Sequence, residues 1–588
     1  MKTEWDLGGL KSDFEKERVL IEKINDNFKN KWEKDSTYLE NPLKLKEALD
    51  EIEKISEKFS KGGNEFDYYF LNQELNQNDA EIRRKFLSAD EFIKKQSNKI
   101  IFFSINLSKI GEERKKEFLQ NPILKKYHPY LFELFENAKH ILSEKEEKIL
   151  TLKENASYGM WVRMVSSLLS KETRISIDEK GEKKEFVYSE LMNLMKSADK
   201  KVRLSAKKAF EDILKKYEEI AEFEINAVLE EAKINDELRG FTRADEARIK
   251  SDSIDFDFVN SVLEAVKEKF SISREYYKLK ATLMGQKKIG YSERTAELKK
   301  VEKIFDLDSA VEIIKKVFSK LDKNFTYIFE DMLKSGKIDF FPKIGKNGGA
   351  FCVSFGKNKP VYVLLNYTNK LRDVAVISHE MGHAINYKLM KKEPSIYYDL
   401  PKSTGEVAST FMEDFIYKEI MEELSEEDRF FLKIARFEDD LATIPRQIAL
   451  YFFELEIHES YRKEGYLSKE KIGKIFVKHM SEYLGKSVDM KNANLWWVYW
   501  EHIRLFFYVY SYASGLLISK AMQKKYRRDK NFIEKIKLFL STGTSKRPRE
   551  IFKELGIEIS KDFFLEGLSE MERDFEEIKN LGKKLGKI

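Results

Sequence analysis

The segment Val361-Tyr-Val-Leu-Leu-Asn-Tyr-Thr-Asn-Lys-Leu-Arg-Asp-Val-Ala-Val-Ile-Ser-His-Glu-Met-Gly-His383 runs from a strand into a helix and ends on a pair of histidines. Its opening run, Val361 to Leu365, is apolar, β-branched and aromatic, the composition of a strand. Asn366-Tyr-Thr368 supplies turn and N-cap residues, which predicts a helix beginning near residue 369. On that helix His379 and His383 stand at i and i+4, one turn apart on one face, so both imidazoles reach a single metal ion. Glu380, between them in sequence, reaches a water bound to that ion. Two histidines leave a catalytic zinc site short of its third protein ligand, the fourth position being kept for water.

Upstream, five glycines fall between residues 336 and 356, followed by Pro360, which predicts a small sheet with tight turns around the strand. These glycines are not a phosphate-binding loop, because no Gly-Lys-Ser/Thr stands at the required offset. Downstream, a loop containing Pro394 and Pro401 leads to Ser403-Thr-Gly-Glu406-Val-Ala-Ser-Thr-Phe-Met-Glu413, the start of a new helix. Glu406 is its first carboxylate and has two readings. It is a candidate third ligand, and Ser403-x-x-Glu406 also spells a capping box in which Glu406 satisfies only a backbone N–H. Zinc peptidases that place their third glutamate roughly twenty residues after the second histidine are excluded, since that offset lands near Lys402 and Ser403. Glu413 shares the helix face of Glu406 and suits the free N–H of a ligand histidine.

Prolines number nine, with none between Pro129 and Pro342, and this interval is expected to be nearly all helix. Within it Ala206, Phe210, Ile213, Tyr217, Ile220 and Phe223 recur at steps of three and four, the pattern of one amphipathic helix. Residues 1 to about 110 read the same way. Neither a repeat nor a low-complexity linker is evident, and soft boundaries are expected near 110 and 190. They delimit an N-terminal helical region (1–110), a second helical region (111–190) and a catalytic region (191–588).

Charged residues make up 36% of the chain, yet 107 Lys+Arg against 102 Asp+Glu leave only +5, a solvated surface of mixed sign. Basic clusters such as Lys524-Lys-Tyr-Arg-Arg528 lack a groove-reading motif, so no nucleic-acid partner is expected. The one cysteine, Cys352, excludes an internal disulfide and a thiolate metal cluster. No apolar stretch has the length of a membrane span and the first residues lack a signal-type apolar core, so a cytoplasmic location without a membrane partner is expected.

Taken in order, Gly348-Gly-Ala-Phe-Cys352, Asn366-Tyr-Thr368, Leu371-Arg-Asp373, His379-Glu-Met-Gly-His383, Glu406-Val-Ala-Ser409, Phe507-Tyr-Val-Tyr-Ser-Tyr-Ala-Ser-Gly515 and Gly543-x-Ser545-x-x-Pro548-x-Glu550 form a specific set. With them the chain resembles the oligoendopeptidase F branch of the thimet-oligopeptidase-like zinc metallopeptidases, over most of its length. The 23-position step from His383 to Glu406 is close to the one those enzymes use. The resemblance implies Glu406 as third ligand of one zinc ion. It also implies a mostly α, two-lobed zincin-type body with a small β-sheet beside the active-site helix and a deep central channel that admits short unfolded peptides. His502, Tyr508 and Tyr512 match a histidine and two tyrosines that the family places over the substrate carbonyl. On local sequence alone the aromatic stretch Trp496 to Tyr512 reads as a helix packing an aromatic core. One position departs from the pattern: Asn386 stands where the family commonly has a histidine.

The expected activity is hydrolysis of internal bonds in short unstructured peptides, with His379, His383 and Glu406 holding zinc, Glu380 as general base, and His502, Tyr508 and Tyr512 as oxyanion donors. Substrate is expected to pair with an exposed edge of the sheet at 350–365. His128, His140, His458 and His479 are expected to be structural or surface residues. The alternatives are a carboxypeptidase or dipeptidyl carboxypeptidase on a related scaffold, and a peptide-binding protein without catalysis.

Overall fold

In the computed structural model the described residues are 1–59, 62–299, 303–401 and 403–588. They are mostly helical with small sheets, as expected, and form two compact units, each assembled from three stretches of chain. One comprises Met1–Ile141, Lys303–Glu422 and Lys525–Ile557; the other comprises Leu142–Glu302, Glu423–Lys524 and Glu558–Ile588.

The first unit opens with the helices Phe14–Trp32, Pro42–Phe59, Gly63–Leu75 and Ala80–Ser108. Phe28, Trp32, Phe103, Phe118 and Tyr127 are buried together in one of its cores. Its sheet has three strands, β1 (Ile338–Asp339), β2 (Phe351–Ser354) and β3 (Val361–Leu364), in the order β1-β3-β2. β3 runs parallel to β1 and antiparallel to β2, with Phe351 opposite Leu364 and Ser354 opposite Val361. Every residue of β3 is buried, which is why its sequence is a continuous apolar run rather than an alternating one. The half-buried β2 is an outer strand, paired only with β3 among the described residues. Lys346 staples the glycine-rich connection: its ammonium donates to Asp339 Oδ1 at 2.6 Å and to the carbonyls of Phe341 and Leu365 at 2.7 and 2.6 Å. A buried charge is tolerable there because each donor has an acceptor.

The second unit is built around the helix Lys200–Arg239. Asp199 caps its start, accepting from the backbone N–H of Lys201 and Val202, and Gly240 ends it at φ 72°. The buried stripe on this helix corrects the sequence reading. Ala206, Phe210, Ile213 and Tyr217 face inward, but the stripe continues through Ala221, Ile225 and Val228, leaving Phe223 56% exposed. At about 100° per residue, two successive three-residue steps from Tyr217 rotate Phe223 off the face.

The Pro-free interval also holds strand. Thr173–Ile177 pairs antiparallel with Lys183–Val187, carried by the alternating, β-branched Thr-Arg-Ile-Ser-Ile and closed by a turn in which Gly181 adopts φ 85°. Absence of proline permits a helix without requiring one. Trp496 to Tyr512 is likewise not one helix: it is a chain of short turns, and the regular helix Tyr510–Arg528 starts only near its end.

Candidate active site

Two crossing helices of the first unit carry the metal-type residues. The first, α1 (Leu371–Leu389), starts two residues later than expected, and its first turn is fixed by Asp373. That carboxylate accepts from Thr368 N at 2.7 Å, Thr368 Oγ1 at 2.8 Å and Lys370 N at 3.1 Å, so Thr368 is a donor to the cap rather than the cap itself. Asn366 turns back to donate to the carbonyls of Asn347 and Gly349 at 2.8 and 2.7 Å, tying the glycine-rich loop to the start of α1. The second helix, α2 (Glu406–Glu422), begins with Glu406 itself, where the helix dipole favours a carboxylate.

α1 and α2 approach until their backbones touch. A Cβ on Gly382 would lie 2.6 Å from Ser409 Cα, 2.7 Å from Ala408 O and 2.8 Å from Ser409 N. Only glycine allows this approach, which brings Glu406 to the two histidines. Glu406 Oε2 stands 3.4 Å from His379 Nε2 and 3.5 Å from His383 Nε2, and it accepts from Ser409 Oγ at 2.9 Å. Ser403 Oγ has no hydrogen-bond partner among the described residues, so the capping-box spelling is not realised as one. His379, His383 and Glu406 offer three ligand atoms lying within 4.8 Å of one another, the one such group among the described residues.

The electrostatics suit a cation. His379 Nδ1 faces Glu413 Oε2 at 3.1 Å, which fixes the ring and leaves Nε2 turned toward Glu406. Burial works against a charged His379, but the Glu406 and Glu413 carboxylates outweigh it and push the imidazole up to about 10. Burial likewise opposes the Glu406 carboxylate, yet the two histidines hold it far below its ordinary range. Groups that bind a proton this tightly between two imidazoles and two carboxylates are equally disposed toward a divalent metal, and an N,N,O donor set is one zinc accepts. Glu380 is buried beside them, and burial raises its carboxyl above the ordinary range.

The loop between the histidines and Glu406 is anchored by a segment far along the chain. Gly543 sits at φ 56° against Tyr397 O, where a side chain would collide, and Thr544 N donates to Tyr397 O at 3.1 Å. Tyr397 OH in turn donates to Lys126 O at 2.8 Å. Asn386 on α1, the position that departs from the family pattern, donates from Nδ2 to Leu540 O at 2.6 Å. Gly543 and Asn386 stood out in the sequence as a motif residue and a departure from the pattern, but the contacts they make were not legible, since each joins segments distant in sequence.

His502, Tyr508 and Tyr512 belong to the second unit, and they lie together. His502 Nε2 is 3.3 Å from Tyr512 OH, and the Tyr508 and Tyr512 rings meet edge to face at 5.2 Å. Tyr508 is on the turn before the helix Tyr510–Arg528, which carries Tyr512. Trp497, Phe507 and Tyr510 around them are fully buried, whereas these three are only half buried. Of the remaining histidines, His128 contacts Asn121 O at 3.0 Å, His479 contacts Glu456 at 2.6 Å, and His140 and His458 are buried.

Comparison with known proteins matches residues 193–570 to the model of peptidase family M3 and residues 106–171 to that of Oligopeptidase F. An oligoendopeptidase F homolog of Borreliella burgdorferi is 27% identical over 578 residues, 96% of this chain and 95% of its own. Among solved structures, a protein of Chlamydophila abortus superposes with a TM-score of 0.85 at 22% identity, covering 98% of each chain. Oligoendopeptidase F of Enterococcus faecium gives 0.71 at 16%, covering 97% of this chain and 99% of its own. The chain belongs to peptidase family M3 and is a peptidase of the fold those structures share.

Proposed function

We propose that this peptidase is a zinc-dependent endopeptidase that cleaves internal bonds of short, unstructured peptides in the cytoplasm. The observation that carries the reading is the convergence of His379 Nε2, His383 Nε2 and Glu406 Oε2 across the α1–α2 crossing, with Glu380 buried alongside. Those three atoms would hold one zinc ion. When bound there, zinc polarises the scissile carbonyl and makes water acidic enough to attack at neutral pH. Glu380 takes the proton from the attacking water and passes it to the leaving amine. Glu413 holds the His379 ring in the orientation that presents Nε2. Tyr508 and Tyr512, with His502 hydrogen-bonded to the latter, donate to the oxyanion as charge develops on the carbonyl oxygen.

The outer strand β2 offers main-chain groups to an extended peptide, which favours tolerance of sequence over selection of side chains. Support for the endopeptidase and oligopeptide parts comes from the names of the relatives and from the shared family. Cys352, a half-buried free thiol, suits a reducing compartment.

The deciding experiment is digestion of a library of unstructured peptides blocked at both ends, with and without a chelator, read by mass spectrometry. Internal cleavage that stops on chelation and returns with zinc is expected. Activity confined to peptides with a free C-terminus would make the chain a carboxypeptidase, and zinc binding without turnover would make it a peptide-binding protein.

A further inference from the structure

The turn that precedes Tyr508 is built from an improbable pair. Phe506 and Phe507 both adopt left-handed backbone, at φ 45° and 57°. Bulky side chains rarely do so, because Cβ crowds the backbone, and nothing in the residues themselves favours it. Two consecutive residues of this kind persist only where the surroundings over-determine them.

Two side chains from elsewhere in the second unit supply that determination. Arg248 donates from Nε to Phe506 O at 2.9 Å and from Nη2 to Leu505 O at 2.5 Å, a planar fork on successive carbonyls. Its guanidinium also lies 5.6 Å from the Tyr508 ring centre. From the other side Glu454, wholly buried, accepts from Phe507 N at 2.6 Å. Glu454 Oε2 has no hydrogen-bond partner among the described residues, so the side chain's one bond is to this turn. A buried carboxyl that makes a single hydrogen bond is poor value for stability, and an apolar residue of the same size would serve packing better. The flanks are pinned as well. Arg504 is locked to Glu224 at 2.7 and 2.5 Å, and Tyr510 OH donates to Asp252 Oδ2 at 2.7 Å. Strain is thus concentrated in the turn that leads into Tyr508.

We propose that Arg248 and Glu454 are positioning residues for peptide hydrolysis, holding the Leu505–Phe507 turn in its left-handed form and so aiming the hydroxyls of Tyr508 and Tyr512. This rests on the reading of those tyrosines as oxyanion donors. Acting through them, Arg248 and Glu454 govern the turnover number and leave ground-state binding of peptide nearly untouched. Burial raises the Glu454 carboxyl well above its ordinary range, and a glutamine of the same shape keeps the acceptor that Phe507 N–H needs.

The test uses the zinc-loaded full chain and an internally quenched peptide blocked at both ends. Glu454→Met should lower kcat by about tenfold or more with KM within about twofold, and Glu454→Gln should recover most of that loss. In a Tyr508→Phe, Tyr512→Phe background, adding Glu454→Met should cost almost nothing further, since the hydroxyls it aims are gone. If Glu454→Met does not fold, Arg248→Gln, at a side chain 18% exposed, decides the same question with the same expected loss. Wild-type kcat in both Glu454→Met and Arg248→Gln, alongside a loss in the tyrosine variants, overturns the proposal and leaves the tyrosine reading standing. Wild-type kcat in the tyrosine variants themselves overturns both.

Discussion

Replacing Gly382 by alanine tests the geometry of the metal site without touching a ligand, the base or any hydrogen bond. The added Cβ falls 2.6 Å from Ser409 Cα, 2.7 Å from Ala408 O and 2.8 Å from Ser409 N, where ordinary contact begins at 3.4 Å. All three atoms are backbone, so no side chain can swing aside, and α2 must retreat from α1 by about 0.8 Å at this point. Overpacking of this kind costs about 1–3 kcal/mol, while helix propensity returns about 1 kcal/mol for Gly→Ala, leaving a net loss centred on about 1 kcal/mol. Glu406 lies one turn from Ser409 on α2 and moves with it. Metal–oxygen bonds of about 2.0–2.2 Å tolerate errors of only about 0.2 Å, so the retreat exceeds what a third donor can absorb.

The expected result is a folded protein with a lowered Tm, zinc affinity weakened by about tenfold to a hundredfold in competition with a chromogenic chelator, and activity that recovers only in excess zinc. Gly111→Ala is the control, because a Cβ there meets nothing within 4 Å and its φ of −65° suits any residue. Unchanged zinc affinity and Tm in Gly382→Ala would show that the helices separate without cost and that Gly382 does not place Glu406.

Glu380→Gln should keep zinc and Tm while losing about a hundredfold or more in kcat, measured on enzyme of verified metal content; near-normal turnover would remove Glu380 as the base. Glu406→Gln should lose zinc on dialysis against a chelator that leaves the wild type loaded, because an amide is a poor substitute for a carboxylate. Retention of metal there would count against Glu406 as a ligand. At least one of Tyr508→Phe and Tyr512→Phe should lose roughly a hundredfold in kcat at unchanged KM and Tm, the scale of one oxyanion donor. Two fully active variants would make these tyrosines packing residues.

What could be read in advance was what local periodicity encodes. The strand at 361–364, the helix bearing His379 and His383 and the helices before residue 110 all announce themselves through spacing and composition. Glu406 did not, because a capping box and a metal ligand are spelled alike; only the partner helix distinguishes them. Gly382 occupies one of the free positions of the HExxH pattern, and its necessity comes from the Ala408–Ser409 backbone on another helix. The hairpin at 173–187 was hidden by an interval whose lack of proline is permissive rather than directive. Phe506 and Phe507 carry no turn signature at all, since their conformation is imposed by Arg248 and Glu454.

The loop joining His383 to Glu406 shows how such long-range terms build the site. Closing a loop becomes only slightly costlier as it lengthens, so brevity alone would not confine Glu406, and pins are required. The pins converge from two other parts of the first unit: Lys126 O receives Tyr397 OH, and Thr544 N holds Tyr397 O. Asn386 closes the circuit, since its bond to Leu540 O joins α1 to the helix Phe532–Ser541, whose end leads directly into Gly543 and Thr544. A carboxamide suffices at this position because the partner is a single backbone carbonyl, which asks for one N–H donor and no charge. Asn386 thus makes a local hydrogen bond of its own, and the Gly543 turn, more than a hundred residues beyond the histidines, anchors Tyr397 in the loop that leads to Glu406.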